Sequence, residues 1–190
     1  EKLVAWAKTY EVGVVSDLAY GALGYRGYEN PSFLSTPGAK DVGIEFYTFS
    51  KTFNMAGWRL AFAAGNDQMI EALNLIQDHL FVGIFPALQE AGIAALLDPK
   101  SEEAVAQLNA TYDSRRDAFV QAVAKIGWKA FPSKGSFYAW MPVPEGYTSE
   151  SFADLLLEKA HVAVAPGKGF GPAGDAYVRI GLLVEPERLV

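Results

Sequence analysis

The sequence predicts an α/β fold, in which an open and mostly parallel β-sheet carries helices on both faces and a smaller α+β domain follows. Two observations lead to this prediction. Short, continuously apolar runs separated by helical patterns fill the first half of the chain and are typical of buried parallel strands. Beyond residues 97–102 the pattern changes to one long helix and several short strands. We therefore expect two domains, residues 1–98 and 99–190.

The first domain opens with an amphipathic helical pattern at residues 1–7. Strands are predicted at Val12–Ser16, Ile44–Phe49 and Arg59–Ala64, and helices at about Asp67–Leu80 and Pro86–Leu97. Pro86 supports the start of the second helix, because a proline at the first helical position removes an N–H that has no partner there.

The second domain begins with Ser101, which is an N-cap residue followed by two acidic residues. A long helix is predicted from Ser101 to Ile126. The strands that follow are predicted at Trp128–Phe131, Ser136–Pro142, Val162–Ala165 and Tyr177–Leu183, with a helix at about Ser149–Ala160 and the first turn of another at Pro186–Val190. Arg115 and Arg116, which have acidic neighbours on the long helix, are interpreted as a solvated face with salt bridges.

Composition argues against several classes of function. Sixteen Lys and Arg against 22 Asp and Glu give a net charge of −6, which is unfavourable for a sequence-independent nucleic-acid surface. The absence of cysteine excludes thiol catalysis, disulfides and cysteine-ligated zinc. The two histidines are far apart, so no metal site is expected. Without a membrane-spanning apolar run or a signal-peptide pattern, we expect a soluble, cytoplasmic protein.

Lys51 is the only charged residue between Phe46 and Trp58. An ordinary surface lysine at the end of a strand fits this position. A functional interpretation also fits, since poor solvation favours the neutral amine that attacks carbonyl groups. Nearby, Thr48, Ser50 and Arg59 supply two hydroxyls and a guanidinium, which suit a phosphate monoester.

Asp17 follows the first apolar strand, and Tyr20 lies three residues further on. Open α/β sheets bind ligands at the carboxyl ends of their strands, which is where this carboxylate is expected. A turn-forming aspartate and a tyrosine in ordinary packing are equally consistent with the residues alone.

Three motifs, taken together, resemble those of the pyridoxal-phosphate-dependent aminotransferases of the aspartate-aminotransferase-like superfamily (class I/II, fold type I). They occur in the family's order: Asp17-Leu18-Ala19-Tyr20, Ser50-Lys51 with Gly57-Trp58-Arg59, and Tyr177-Val178-Arg179-Ile180. The resemblance runs the whole length of the chain. It implies that residues 1–98 are the C-terminal portion of the cofactor-binding large domain and residues 99–190 are the small C-terminal domain.

By that resemblance, Lys51 holds pyridoxal 5′-phosphate as an internal aldimine and then acts as the base that moves the proton. Asp17 pairs with the pyridinium nitrogen, which keeps the ring protonated as an electron sink. Tyr20 hydrogen-bonds the phenolic oxygen of the ring.

The resemblance assigns the phosphate to Thr48, Ser50 and Arg59. It assigns the α-carboxylate of the substrate to Arg179, as a bidentate pair. From the residues alone, an arginine on the surface of a sheet fits position 179 equally well. The glycine-rich segment 167–172 precedes a strand and not a helix, so it resembles the family's loop before the arginine strand and not a dinucleotide-binding loop.

Family members are about twice as long as this chain, and the resemblance covers their C-terminal half. The glycine-rich phosphate turn, the aromatic residue that stacks on the ring and an asparagine lie N-terminal to Glu1 in the family. Family members are also homodimers with shared active sites. We therefore expect the chain to be a fragment of a longer enzyme that, alone, binds the cofactor poorly, self-associates and is inactive.

The substrate class is narrowed by residues 80–86, where relatives that take dicarboxylic amino acids often carry an arginine. Here the segment has no positive charge, and burying an unpaired distal carboxylate is costly. A neutral or apolar, methionine-like amino acid is favoured as the donor, with a 2-oxo acid as the acceptor. Residues 31–66 and 135–183 resemble the branch that contains the methionine-salvage and LL-diaminopimelate aminotransferases.

Other functions remain open on the same residues. A pyridoxal-phosphate-dependent lyase or synthase uses the same side chains, and an aminotransferase-like effector domain of a transcription regulator has the same fold. A non-catalytic relic is disfavoured because the charged residues of all three motifs are present. The expected partners are small-molecule substrates and a second subunit, without nucleic acid or membrane.

Overall fold

The computed structural model describes residues 1–131 and 133–189, and it divides the chain into two compact units. The first unit is Glu1–Leu108, and the second begins at Asn109. The division falls within a long helix, whereas the boundary predicted from the sequence lies just before that helix. The predicted α/β class is confirmed, with strands and helices alternating in the first unit.

The first unit builds a three-stranded sheet with helices before, between and after its strands. Its elements are α1 (Lys2–Tyr10), β1 (Val14–Asp17), α2 (Ala39–Val42), β2 (Gly43–Thr48), α3 (Phe49–Thr52), β3 (Ala61–Gly65), α4 (Asp67–Leu80) and α5 (Pro86–Leu97). Short 3₁₀ turns occur at Phe33–Ser35 and Ala56–Trp58.

The strand directions in this sheet decide where the site residues lie. The strand order is β1-β2-β3. β1 runs parallel to β2, with Asp17 beside Phe46, and β3 runs antiparallel to β2, with Thr48 beside Ala61. The sequence predicts a mostly parallel sheet, and the direction of β3 is the departure from it. The segment 49–60 folds into short helical turns on one end of the sheet, so the chain returns in the opposite direction.

Local signals explain the ends of the helices. Asn66 caps α4, and its side-chain oxygen accepts a hydrogen bond from the backbone N–H of Met69 at 3.1 Å. Pro86 stands at the start of α5, as predicted. Thr148 and Ser151 form a reciprocal capping box at the start of the helix that follows β4 in the second unit.

The long helix α6 (Ser101–Lys125) contains the division between the units. The second unit continues with β4 (Tyr138–Pro142), α7 (Ser149–Leu155), β5 (Ala165–Pro166), β6 (Tyr177–Gly181) and α8 (Pro186–Leu189). A π-helical turn at Leu156–Ala160 extends α7, so the helix predicted over residues 149–160 is present. β6 lies between β4 and β5 and is antiparallel to both.

The core of the second unit lies between one face of this sheet and the helices. Its buried members are Phe119, Val123, Ala139, Met141, Phe152, Val178 and Leu182. Side chains alternate along a strand, so the other face of the sheet carries Tyr138, Trp140 and Arg179.

Two sequence predictions in this unit are wrong. No strand forms at residues 128–131: the backbone N–H of Trp128 bonds to Val123 O at the end of α6, and its indole N–H bonds to Pro142 O at 2.7 Å. Arg116 forms the predicted salt bridges, with Asp113 and Asp117, but it is 5% exposed and does not lie on a solvated face. The predicted turn at the C-terminus forms over α8, and Val190 lies outside the described residues.

Candidate active site

The predicted site residues of the first unit meet at one edge of the sheet. Asp17 is the last residue of β1, and Thr48 is the last residue of β2. Because these strands are parallel, their carboxyl ends lie at the same edge. β3 is antiparallel, so Arg59, two residues before its start, lies at this edge too. In a fully parallel sheet Arg59 would stand at the opposite edge.

Thr48, Ser50 and Lys51 occupy the first turn after β2. Thr48 is the N-cap of α3, and its Oγ1 accepts a hydrogen bond from the backbone N–H of Ser50 at 3.1 Å. The two hydroxyl oxygens lie 2.9 Å apart, with Ser50 Oγ as the acceptor. The proton of Ser50 Oγ therefore remains available for a further acceptor. Lys51 follows within α3 and is half-buried.

Arg59 has an exposed side chain on an unusual backbone. Its φ of 53° and ψ of 44° lie in the left-handed region, which is uncommon for residues other than glycine. The conformation ends the 3₁₀ turn at residues 56–58, and Arg59 Nη1 donates to Ala56 O at 3.0 Å. A guanidinium has five N–H donors, so this bond leaves others for an anion. Backbone strain of this kind clusters at functional sites.

Tyr20 lies in the turn that follows β1, and the side-chain amide of Asn30 adds to the backbone hydrogen bonds that hold this turn. The side-chain nitrogen of Asn30 lies 3.0, 3.2 and 3.1 Å from the carbonyl oxygens of Tyr20, Gly21 and Leu23, respectively. The sequence analysis does not identify Asn30, although an asparagine before a proline is a turn signal. The amide fixes the backbone from which the phenol of Tyr20 projects.

Glu45 is a second residue that the sequence analysis does not identify. It lies in the middle of β2 and is 6% exposed. Its carboxylate accepts hydrogen bonds from Ser16 Oγ (2.9 Å), Ser32 Oγ (2.5 Å) and the backbone N–H of Phe33 (2.7 Å). A charged residue within the apolar run Ile44–Phe49 is the signal that could have revealed it. Glu45 joins β1, β2 and the turn at residues 33–35 beneath the candidate site.

An open cavity of about 500 Å³ lies on the face of the sheet that bears Phe46, Ala61 and Ala63. Arg59 lines this cavity, whereas Asp17 and Lys51 do not. Of the residues predicted to bind the cofactor, Arg59 therefore lies both at the sheet edge and at this cavity, whereas Asp17 and Lys51 lie at the edge alone.

Arg179 belongs to the second unit. It lies in the middle of β6, opposite Trp140 on β4 and Ala165 on β5. Its guanidinium carbon lies 4.2 Å from the ring centroid of Tyr138 and 4.3 Å from that of Phe170. No carboxylate among residues 1–131 and 133–189 forms an ion pair with it.

Two further observations concern metal ligands and membrane-spanning helices. No group of His, Cys, Asp and Glu residues in the described ranges has the arrangement of a metal site. No helix formed by those residues is both long and apolar enough to cross a membrane.

The donor set at the sheet edge fits pyridoxal phosphate. Two adjacent hydroxyls and a guanidinium suit the phosphate, an amine suits the aldehyde, and a carboxylate suits the ring nitrogen. These groups come from three neighbouring strand ends, Asp17 on β1, Thr48–Lys51 after β2 and Arg59 before β3.

Comparison with known proteins gives consistent matches over the whole chain. The model of the family described as "Aminotransferase class I and II" matches residues 1–189. An L-glutamine--4-(methylsulfanyl)-2-oxobutanoate aminotransferase from Bacillus subtilis is 58% identical over 189 residues, which cover 100% of this chain and 47% of that protein. An LL-diaminopimelate aminotransferase from Moorella thermoacetica is 47% identical, with coverage of 100% and 48%.

Solved structures agree in fold. The apo structure of BacF from Bacillus subtilis superposes with a TM-score of 0.94 at 46% identity, over 99% of this chain and 48% of that one. An aromatic aminotransferase from Pyrococcus horikoshii superposes with a TM-score of 0.93 at 33% identity, over 99% and 50%. The chain thus spans about half the length of the relatives it matches.

Proposed function

Because the chain belongs to the class I and II aminotransferase family, we propose that the complete protein transfers an amino group from a neutral, methionine-like amino acid to a 2-oxo acid, with pyridoxal phosphate as cofactor. The observation that carries the proposal is the meeting of Asp17, Lys51 and Arg59 at one edge of the sheet. The three strand ends are neighbours in the order β1-β2-β3, and they bring a carboxylate, an amine and a guanidinium to the same edge.

Thr48, Ser50 and Arg59 bind the phosphate in this proposal. The backbone N–H of Ser50 and the hydroxyl pair hold Thr48 in place, and Ser50 Oγ, which is the acceptor in that pair, keeps its own proton as a donor for the phosphate. Arg59 adds a positive charge from the start of β3, and a charge-assisted hydrogen bond to phosphate is about twice as strong as a neutral one.

Asp17 and Tyr20 orient the ring of the cofactor. The carboxylate at the end of β1 stabilises a proton on the ring nitrogen, and the phenol donates a hydrogen bond to the ring oxygen. When bound, pyridoxal phosphate supplies an electrophilic carbonyl carbon and an electron-withdrawing ring.

Lys51 moves the proton. In its neutral form, Lys51 Nζ would accept the proton that the α-carbon of the substrate loses, and as the ammonium it would return that proton to the carbon that the cofactor aldehyde supplies. α3 fixes the lysine backbone within a helical turn next to the phosphate-binding hydroxyls.

Arg179 binds the α-carboxylate of the substrate, and the lack of a positive charge in residues 80–86 sets the preference for the substrate side chain. Residues 80–86 carry no charge, and Val82 and Phe85 present large exposed apolar surfaces. A distal carboxylate finds no ion pair in this segment, and an unpaired buried carboxylate is costly. The similarity to an enzyme of 4-(methylsulfanyl)-2-oxobutanoate supports the same preference.

The proposal is tested by steady-state transamination with the complete protein. Methionine should give a kcat/KM at least about tenfold above that of aspartate, because one unpaired carboxylate costs more than the 1.4 kcal/mol that corresponds to tenfold. Lys51→Ala should abolish turnover with either donor. Lys40→Ala is the matched control, since Lys40 is an exposed lysine paired with Asp67 at 3.6 Å, and it should leave turnover unchanged.

Two results would contradict the proposal. Equal or better turnover of aspartate would exclude the predicted donor class. Activity retained in Lys51→Ala and lost in Lys40→Ala would exclude the assigned lysine.

A further inference from the structure

We propose that Phe170 and Tyr138 are positioning residues that clamp the guanidinium of Arg179 between two aromatic rings and so aim its N–H edge at the substrate carboxylate. This inference rests on the proposed function, in which Arg179 binds that carboxylate. It adds a specific device that holds the arginine, built from a strand and a loop of the second unit.

The two rings lie at nearly equal distances from the charged group. The guanidinium carbon of Arg179 is 4.2 Å from the centroid of Tyr138 and 4.3 Å from that of Phe170. Both distances are well within the range of about 6 Å over which a cation is attracted to an aromatic face. Tyr138 comes from β4, two residues before the strand partner of Arg179, and Phe170 comes from the loop before β6.

The guanidinium of Arg179 contacts aromatic rings and not an acidic side chain, and this affects which of its N–H donors can bind a ligand. A carboxylate beside Arg179 would occupy its N–H donors and offset its charge. Aromatic rings contact the guanidinium without using an N–H donor in a hydrogen bond, so the planar edge stays free for a bidentate carboxylate. Among the residues that the structure describes, Arg179 has no ion pair, which fits this arrangement.

The exposure and contacts of Phe170 differ from those of a residue that packs in the core. The ring is 53% exposed, so its burial contributes little to the core. It also contacts Trp140 edge-on at 5.6 Å between centroids, and Trp140 stacks on Tyr177 at 5.5 Å. Phe170 thus joins an aromatic row on the sheet face opposite to the core.

The loop that carries Phe170 is locked at both ends. Two short 3₁₀ turns form this loop, Gly167–Phe170 and Pro172–Ala176. A Cβ added at Gly174 would lie 2.1 Å from the carbonyl oxygen of Gly167, so only glycine permits this approach of the two turns. The side chain of Asp175 accepts hydrogen bonds from the hydroxyl and backbone N–H of Ser149, at 2.8 and 3.3 Å. These contacts fix the loop to the start of α7 and hold Phe170 over Arg179.

The experiment compares Phe170→Leu with Phe131→Leu in the complete enzyme. Phe131 is a matched control, because it is an aromatic residue of the same unit that is 65% exposed. Phe170→Leu should raise KM for the amino donor about three- to thirtyfold, while kcat changes less than about threefold, because the clamp acts on carboxylate binding. Phe170→Tyr keeps the aromatic face and should restore the KM of the wild type. Phe131→Leu should change neither constant.

A double-mutant cycle separates positioning from general packing. In an Arg179→Gln background, Phe170→Leu should have no further effect on KM, since the group that it positions is gone. Independent, multiplicative effects of the two substitutions would overturn the inference. So would an unchanged KM in Phe170→Leu, or a Phe170→Tyr variant as impaired as Phe170→Leu.

The same data distinguish this inference from the proposed function. If the wild type shows no transamination, or if Arg179→Gln leaves KM unchanged, the proposed function is wrong and the inference falls with it. If Arg179→Gln raises KM but Phe170→Leu behaves like Phe131→Leu, the proposed function stands and the clamp alone is wrong.

Discussion

The two units of the chain differ in how completely they bury their own apolar surface. The second unit has a continuous core, in which Met141, Val178 and Leu182 are fully buried. In the first unit, α4 has no buried residue and α5 buries only Gly92, although both helices are rich in large apolar side chains. Helices with apolar surface on several sides are typical of elements buried by other parts of a protein.

The first unit therefore has apolar helix surface that its own residues do not cover. The chain spans about half the length of its relatives, and the exposed apolar helices belong to the unit that carries the lysine motif. The arginine motif lies in the unit that completes its own core. We expect the arginine device to be formed independently and the lysine site to depend on further contacts.

The largest expected effect is a cavity in the core of the second unit. Met141→Ala should lower the free energy of unfolding of that unit by about 2–5 kcal/mol, because Met141 is 0% exposed and its removal leaves a void. Leu80→Ala on α4 is the matched control, and both variants are measured in the 190-residue chain. Leu80 is 70% exposed there, so the free energy of unfolding should change by less than about 0.5 kcal/mol. Urea denaturation followed by tryptophan fluorescence measures both, and equal losses would break the comparison.

A smaller effect is expected in the sheet of the first unit. Glu45→Gln removes the charge that three donors share and should destabilise this unit by about 1–3 kcal/mol. Glu29→Gln, at an exposed position, is the control and should be neutral. Circular dichroism during denaturation measures the difference. A neutral Glu45→Gln would show that the buried carboxylate does not hold the strands together.

The direction of β3 explains which part of the site could be predicted from the sequence. Apolar runs predict that β1, β2 and β3 exist, but they carry no information on whether neighbouring strands run parallel or antiparallel. Arg59 reaches the edge that carries Lys51 only because β3 is antiparallel. The resemblance of the motifs groups Lys51 and Arg59 without any knowledge of the strand directions. The catalytic roles of the two residues stay predictions.

Buried polar residues are the part that pattern reasoning misses. Glu45 and Arg116 are charged, and charge at a single position is read as exposure unless the partners are known. The partners of Glu45 include Ser32 and Phe33, which come from another segment of the chain. The partners of Arg116 are Asp113 and Asp117, which lie on the same helix. The strand predicted at residues 128–131 does not form for a similar reason. Trp128 is apolar, as strand residues often are, but its backbone N–H donates to Val123 O at the end of α6 and not to a neighbouring strand.

The smallest expected effect concerns the loop of the second unit. The hydrogen bond to Glu150, at 2.6 Å, and the charge of that carboxylate raise the pKa of Lys168 above its ordinary value of 10.5. A raised pKa in the folded state gives a stabilisation that is present below pH 10.5 and is lost as the pH rises through the raised value. Glu150→Gln should move the pKa of Lys168 back toward the ordinary value, and Glu158→Gln should not. Titration by NMR of the lysine side chains measures this, and identical titration curves would contradict the pairing.

The most direct test of the account concerns the lysine at the edge of the sheet. The complete protein is incubated with pyridoxal phosphate and reduced with borohydride, which makes a covalent link between the cofactor and its lysine permanent, and the labelled peptide is then mapped. The account predicts a single label on Lys51, lost in Lys51→Ala and strongly weakened in Arg59→Ala. A label on another lysine, or equal labelling in Lys51→Ala, would contradict the central claim.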